Sequence, residues 1–536
     1  MRRVLAVVML AALAGLAVVF LLPSLSGPPT EITIVSGSEN KALEPIVVEW
    51  GEDNNVAVSV TYRGSVDIAR ELNRGADGDF DAVWPANSLW IELGDTRKVV
   101  KHAESVLRSP VVLGLRRSIA ERLGWIGRDD ITVEMIQAAA RNDDFRLAMT
   151  SATQSNSGAS AFIGFLYALA GNPDLLTMAH LGDPVVLDGV RDLLQQIDRS
   201  SGSSGWLKDA LVANPDAYDA MVNYEAIVLE ANQALAERGQ ETLYIVYPAN
   251  GLSVADSPLG YVDKGDAAKE EAFQALQAHL LSRESQEQLL ALGRRAGLLG
   301  LSTASVDAAV WNPAWGVDLE RAIAPVPTPA SDVIAEALRL YQTDLRKPSL
   351  TIWILDVSGS MEGEPLQQLK DAMGLILDLD AAALNLLQPS ARDLTVVLPF
   401  SNRTLRPVIV EGSDPAALGQ ALDAVERLSA GGGTDLYGAI VTALRLLEPR
   451  HADGTLFDYL PAIVAMTDGA SDTANRALML QAMKESGFGR DVPIHAIAFG
   501  QADESQLREL NQATIGRLFH AGDDLAAALR KAKGYN

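Results

Sequence analysis

Cysteine is absent from the 536 residues, which excludes disulfides, thiolate zinc sites and a lipid-bearing N-terminal cysteine together. Positive charge is scarce. Lys and Arg number 44 against 69 Asp and Glu, a formal net charge of −25. Nucleic acid is held through Lys and Arg on its phosphates, so it is excluded as a partner. Such acidity keeps a chain soluble and off anionic membrane surfaces. None of the six histidines is followed by glutamate, so the HExxH zinc helix is missing. No Gly-Lys pair precedes a Ser or Thr, so there is no phosphate-binding P-loop. No motif ties a histidine to a serine as its base. The expectation is a binding protein, not an enzyme, with no catalytic residue assigned.

What is present is a globular composition, 48% hydrophobic and 21% charged, in a chain long enough for roughly three domains. Arg2-Arg3 is followed by nineteen uncharged, mostly apolar residues, 4–22. A secretory apolar core is usually about 7–15 residues, whereas a membrane span needs about 20. Residues 1–26 are therefore expected to form an uncleaved signal anchor, a single-pass transmembrane helix in the cell membrane. The two arginines place the N-terminus in the cytoplasm, leaving the bulk extracytoplasmic. Ser24-Leu25-Ser26 offers a small-x-small cleavage site, and cleavage there would make the protein secreted.

After a short linker, strand-like and helix-like stretches alternate from residue 31, as in a mostly parallel α/β sheet with crossover helices. "EITIVSGSEN" reads as a strand breaking into a turn, and "NVAVSVTYRGS" alternates Val56, Val58 and Val60 with period two. "SPVVLGLRR", "FRLAMTSATQSNSGASAFIGFLYALAG" and "ETLYIVYPANG" continue the pattern, and residues 267–296 read as an amphipathic helical stretch. The Pro/Ala-rich "AIAPVPTPAS" (322–331) is a linker, followed by a helix over 332–345. A second α/β unit starts at Leu350, with strands at 350–357, 394–401, 461–467 and 493–500. These are near-continuous apolar runs, as a sheet buried on both faces requires. Leu366, Leu369, Met373, Ile376 and Leu377 fall on one face of the helix after the first run.

That first run, "TIWILDVSGSMEG", ends in Asp356-x-Ser358-x-Ser360, at the carboxyl end of a strand, where open α/β sheets place their ligands. Thr434 comes from the glycine-rich "SAGGGTDLYGAI", and Asp468 ends the strand in "AIVAMTDGASD". Two carboxylates and three hydroxyls form a hard, all-oxygen set suited to Mg²⁺, or to Mn²⁺ or Ca²⁺, and ill suited to zinc or copper. Residues 350–536 resemble the von Willebrand factor type A (VWA) family, and the five positions match its metal-ion-dependent adhesion site (MIDAS) in order. The resemblance implies a Rossmann-like domain with a mostly parallel central sheet. It also implies that Ser358, Ser360 and sometimes Thr434 ligate the ion directly, with Asp356 and Asp468 often acting through water. One coordination position is then left for an acidic residue of a protein or cell-surface partner.

Residues 31–325 resemble the two-lobed extracytoplasmic, periplasmic-type solute-binding proteins. The resemblance is carried by the order of "VSGSEN", "TYRGSVDIARELNRG", "DFDAVWPANS", "SPVVLGLRR", "TSATQSNSGASAF", "NYEAIVLEAN" and "YIVYPANGLSVADSPLGYV". Ser36, Gly37, Ser38, Ser65, Ser157 and Gly158 sit beside helix starts, where free N–H groups can hold an oxyanion of a small solute. Serine is also an ordinary helix N-cap, and both readings stay open. Glu39 and Asp67 place negative charge beside two of these loops. Tyr224 and Glu225 face either a solute cleft or the core.

Residues 326–349 then form a linker helix between the domains. The whole reads as a membrane-anchored extracytoplasmic binding protein that captures a protein or surface ligand through a divalent metal, coupled to the solute-binding-like domain. The alternatives are a solute receptor for a transporter with an accessory VWA domain, and a metal-dependent assembly or chaperone factor.

Overall fold

The computed structural model describes residues 28–296, 306–319, 323–500, 502–521 and 525–533. The expected anchor, residues 1–26, lies outside them. Among the described residues no helix is long and apolar enough to cross a membrane. Contacts divide the chain into two compact units. One comprises the described parts of Met1–Arg63, Asp67–Arg108 and Asp256–Leu301. The other comprises Gly64–Val66, Ser109–Ala255 and the described parts of Ser302–Asn536.

In chain order the strands are β1 (Thr30–Ser36), β2 (Val56–Tyr62), β3 (Ala82–Trp84), β4 (Val100–Ser105), β5 (Leu107–Arg116) and β6 (Leu147–Thr150). Then come β7 (Ile197–Ser201), β8 (Ala220–Tyr224), β9 (Leu243–Val246), β10 (Val254–Ala255), β11 (Pro258–Val262) and β12 (Arg295–Ala296). The last are β13 (Ser349–Asp356), β14 (Leu394–Phe400), β15 (Val408–Glu411), β16 (Leu460–Thr467), β17 (Ile494–Ala498) and β18 (Leu518–His520).

The first unit is built on a sheet ordered β2-β1-β3-β11-β4, with β1 parallel to its neighbours and β11 antiparallel to β3 and β4. In β2 the valines of the period-two pattern turn inward: Val56 is buried and Val58 and Val60 are half-buried, while Ala57, Ser59 and Thr61 are exposed. A second sheet, β10-β5-β8-β6-β7, has β9 as a further partner of β5. The helical pattern over 267–296 breaks into Ala267–Leu280 and Arg283–Ala291, followed by β12. The break falls at Ser282, whose hydroxyl accepts the Ser285 N–H at 3.2 Å and starts a new helix.

The C-terminal sheet runs β15-β14-β13-β16-β17-β18, parallel throughout except for β15 at one edge. Every residue of β13, β14, β16 and β17 is buried, because helices cover both faces. Ile352 and Ile354 join one core with the helix Leu436–Ala452, and Trp353 and Leu355 join the other with Glu364–Leu377. Alternate residues of one strand thus feed two cores, each buried Leu or Ile contributing about 1.5–3 kcal/mol. On Glu364–Leu377 the five residues of the apolar face are all buried. The short strands β15 and β18 have no counterpart in the sequence pattern. Four residues in β15, with only Val410 buried, give too little periodicity to read.

Within the second unit, the amino ends of this sheet meet the 109–255 segment. Arg199 in β7 donates through Nη2 to the Ile515 carbonyl at 3.2 Å. The helix Ser331–Leu340 and the turn Tyr341–Leu345 rest on the same segment. Phe162 and Tyr341 meet edge-on at 5.2 Å, Thr153 donates to Gln342 Oε1 at 3.3 Å, and Arg191 pairs with Asp344 at 2.8 Å. The carboxyl ends of β13 and β16 carry Asp356 and Asp468 at the opposite edge.

Candidate functional site

Three loops converge at that edge. Asp356, the last residue of β13, is fully buried. It accepts the Ser358 N–H at Oδ1 (2.8 Å) and the Thr467 hydroxyl at Oδ2 (2.6 Å). Asp468, 6% exposed, accepts the Ser360 hydroxyl at Oδ1 (2.7 Å). The hydroxyls of Ser358 and Ser360 lie 3.2 Å apart, Ser358 buried and Ser360 exposed. Burial pushes the Asp356 carboxyl above its ordinary range against the pull of its hydrogen bonds, and the Asp468 charge pushes the same way.

The glycine-rich loop is pinned beside them. Gly359 N–H donates to the Gly432 carbonyl at 3.0 Å and Gly431 N–H to the Val357 carbonyl at 2.9 Å. Gly432 holds φ +87°, a conformation only glycine adopts without strain. The Thr434 carbonyl accepts Asp472 N–H at 2.8 Å, and Asp435 caps the next helix by accepting Gly438 N–H at 2.9 Å. The half-buried Thr434 is thereby placed on the loop that touches Gly359. The structure brings all three segments of the five-residue set together. Sequence reasoning missed Thr467, which holds Asp356 in place, and its only signal is its position next to Asp468. Among the described residues no group of three or more His, Cys, Asp or Glu forms a cation site, a pattern a site of two carboxylates and three hydroxyls does not present.

In the 31–325 region the serines divide. Ser36, fully buried, donates to the Trp84 carbonyl at 3.1 Å and accepts from Asn40 Nδ2 at 3.2 Å. Gly37 caps the short 3-10 helix that starts at Ser38. The Glu39 carboxylate folds back onto this loop: a Cβ at Gly37 would lie 1.9 Å from its Oε1. Glu39 as a residue is half-buried, yet Oε1 is covered and has no hydrogen-bond partner. Desolvation raises its pKa to about 7 despite its own N–H and the Arg294 charge. An acceptor already sits where an oxyanion would. Because the folded pKa is raised, protonated Glu39 is favoured in the native state, and the stability this gives is lost as pH rises from 4.5 to about 7. Glu39→Gln is therefore expected to be more stable than the parent at pH 8, by up to about 3 kcal/mol, and equal to it near pH 4. Urea midpoints at the two pH values check this, and equal gains at both would refute it.

Ser65 opens the helix Ser65–Asn73, while Ser157 and Gly158 lie inside the first turn of Asn156–Leu169, after Ser155. Ser157 belongs to a buried hydroxyl cluster: Thr150 Oγ1 at 2.7 Å, Ser204 Oγ at 2.8 Å and Ser155 Oγ at 3.3 Å. A Cβ at Gly158 would come within 2.2 Å of the Thr150 carbonyl, so the helix packs on β6 only with glycine there. Ser204, forty-seven positions further on, is a member that no local pattern announces. Tyr224 and Glu225 are core residues, 1% exposed each; Tyr224 OH accepts from Asn156 Nδ2 at 2.9 Å, and Tyr247 OH donates to Glu225.

Comparison with known families supplies the frame for both sites. The bacterial extracellular solute-binding protein family matches residues 32–295, and the von Willebrand factor type A domain matches 351–470. The chain joins an extracellular solute-binding domain to a VWA domain. Curated relatives include inter-alpha-trypsin inhibitor heavy chain H6 of Homo sapiens, 28% identical over 189 residues, covering 33% of this chain and 14% of that protein. Heavy chain H1 of Bos taurus is 24% identical over 179 residues, 32% of this chain and 19% of that one. The chain thus spans less than a fifth of the length of these relatives. Among solved structures, the von Willebrand factor type A protein from Catenulispora acidiphila is 19% identical over 36% of this chain and 43% of that one, TM-score 0.29. The sulfate-binding protein SubI from Mycobacterium tuberculosis H37Rv is 16% identical over 56% and 93%, TM-score 0.39. Iron-bound HitA from Pseudomonas aeruginosa is 14% identical over 59% and 99%, TM-score 0.42. The solute-binding domain points to an extracytoplasmic location.

Proposed function

We propose that this protein captures a protein or surface ligand outside the cytoplasm through a divalent cation held at the VWA strand ends. The observation that carries the reading is the gathering of Asp356, Ser358, Ser360 and Asp468, two acids and two hydroxyls linked by hydrogen bonds of 2.7–3.2 Å, with Thr434 on the adjoining loop. The groups acting most strongly on Asp356 are its burial, Thr467, Ser358 and the second carboxylate, Asp468. Two acids close enough for one charge to act on the other are stabilised by a cation, and oxygen donors alone fit Mg²⁺, Mn²⁺ or Ca²⁺. The five side chains would hold the ion, which when bound supplies a Lewis-acidic position for a partner carboxylate. The residues themselves fix the donors: Thr467 and the Ser358 N–H orient Asp356, and Ser360 orients Asp468. The apolar run 4–22 supports tethering of both domains on the outer side of the membrane.

A pull-down with the intact protein in Mg²⁺ and in EDTA tests this. Partners retained in Mg²⁺ and lost in EDTA are the expected result, and an identical set in both would reject it. The second reading, a solute receptor with an accessory VWA domain, is favoured by the extent of the solute-binding match and by the buried Thr150–Ser155–Ser157–Ser204 cluster. Its mark is tight one-to-one binding of a single small solute by calorimetry. The carboxylate of Glu39 on its own loop argues for a solute other than a free oxyanion at that position.

A further inference from the structure

Where β7 of the solute-binding domain meets the base of the VWA sheet, a cavity of about 390 Å³ is lined by Arg199, Lys347 and Tyr218, together with Pro461, Thr514 and Ile515 of the VWA domain. Arg199 is 7% exposed and Lys347 9%. Among the described residues neither forms an ion pair. Arg199 makes one hydrogen bond, to the Ile515 carbonyl, and rests 5.7 Å from the Trp206 ring centroid, while its Nε is buried with no partner. Arg146, a third cation on the lining, is already held by Asp219 at 3.0 and 3.1 Å. The acids on the wall, Asp198, Asp216 and Asp491, are exposed at the rim. The two unpaired cations of the lining are thus buried while its acids are exposed.

Two buried, unpaired cations in one cavity are costly, because a desolvated charge needs a counter-charge in contact. Burial holds both groups below their ordinary pKa ranges, and Asp198 and Asp458 act on Lys347 only from beyond ion-pair distance. Arg199 brings a guanidinium with free donors, and Lys347 an ammonium, to the lining of one cavity, and such cations pair with carboxylate or phosphate oxygens. We propose that this cavity binds a small oxyanion between Arg199 and Lys347. Arg199 comes from the solute-binding domain and Lys347 from the segment leading into β13, so the anion clamps the two domains at the edge opposite the strand-end loops. The site is separate from the VWA carboxylates and from Glu39, and it stands whether or not the metal reading does.

Thermal unfolding of the intact protein in EDTA, at constant ionic strength, tests it with inorganic phosphate and with malonate. A concentration-dependent rise in Tm with one of the two is expected, and which one acts tells phosphate from carboxylate recognition. Arg199→Gln and Lys347→Gln should each raise the half-maximal concentration at least about tenfold, a loss of roughly 1.4 kcal/mol. If Arg199→Gln does not fold, Lys347→Gln decides by the same criterion. No rise with either anion, or an unchanged half-maximal concentration in the variants, overturns the proposal, the latter locating the anion elsewhere.

Discussion

Replacing Asp356 and Ser358 together by alanine is expected to abolish the Mg²⁺-dependent rise in thermal stability of the intact protein. In the parent, an ion bound to the native state alone adds RT ln(1 + [L]/Kd), about 2.7 kcal/mol at a hundredfold excess over Kd. For a domain of this size that is roughly 5–10 °C in Tm. The double substitution removes one buried carboxylate and one hydroxyl, and also the Ser358–Ser360 contact of 3.2 Å. It leaves Ser360, Thr434 and Asp468, with a single carboxylate, too few donors to hold a six-coordinate cation. Stability without metal moves for other reasons, since Thr467 loses its 2.6 Å acceptor while the repulsion between the two acids disappears. The deciding quantity is therefore the difference between Mg²⁺ and EDTA within each protein. A variant that keeps the parent's full difference would rule out this site as the seat of the metal.

Asp393→Asn should be the most destabilising single change, lowering stability by about 3–5 kcal/mol. Asp393 is fully covered and lies at the amino end of the VWA sheet. It accepts Ser349 N–H at 2.8 Å, Ser390 N–H at 2.9 Å and the Ser390 hydroxyl at 3.0 Å, and it forms a bidentate pair with Arg346. Burial alone would raise its pKa, but Arg346 and Lys533 outweigh this and hold it below 3.8. Lys533, itself buried, is pushed down to about 8 by desolvation with Asp393 as its counter-charge. Asparagine keeps the shape and removes the charge, leaving Arg346 and Lys533 without their acid. Because the folded pKa of Asp393 is depressed, its contribution is complete above pH 3.8 and is lost as pH falls through the folded value. The gap between parent and variant is thus expected to be full at pH 7 and to narrow in acid below that range. Urea denaturation at pH 7 measures it, and a loss under about 0.5 kcal/mol, within the range of ordinary surface changes, would contradict this account.

Much of the C-terminal domain was legible because its central strands are buried on both faces. Leu350 to Leu355 is buried throughout and apolar at every position but Thr351, whose hydroxyl accepts from Lys533, and such a run shows no alternation. Asp356, Ser358, Ser360 and Asp468 were legible for a related reason: small oxygen-bearing side chains just past an apolar run have no packing role there, while Thr434 was marked by its glycine-rich loop. The helix Glu364–Leu377 showed its inner face because one period serves one partner surface. The break at Ser282 and the edge strand Val408–Glu411 were not legible, since each rests on a few residues whose conformation the neighbours decide.

Sequence alone thus determined the two α/β domains, their order, and which carboxylates and hydroxyls end the strands, since burial and periodicity are properties of single elements. Only the tertiary structure decided that Thr467 steadies Asp356 and that Ser204 closes the hydroxyl cluster of Ser157. It also decided that Glu39 covers its own loop and that Arg199, buried without an acid, lines the same cavity as Lys347. Each of these joins side chains from separate parts of the backbone fold. Their energies depend on distance and desolvation, which the sequence of either partner does not contain.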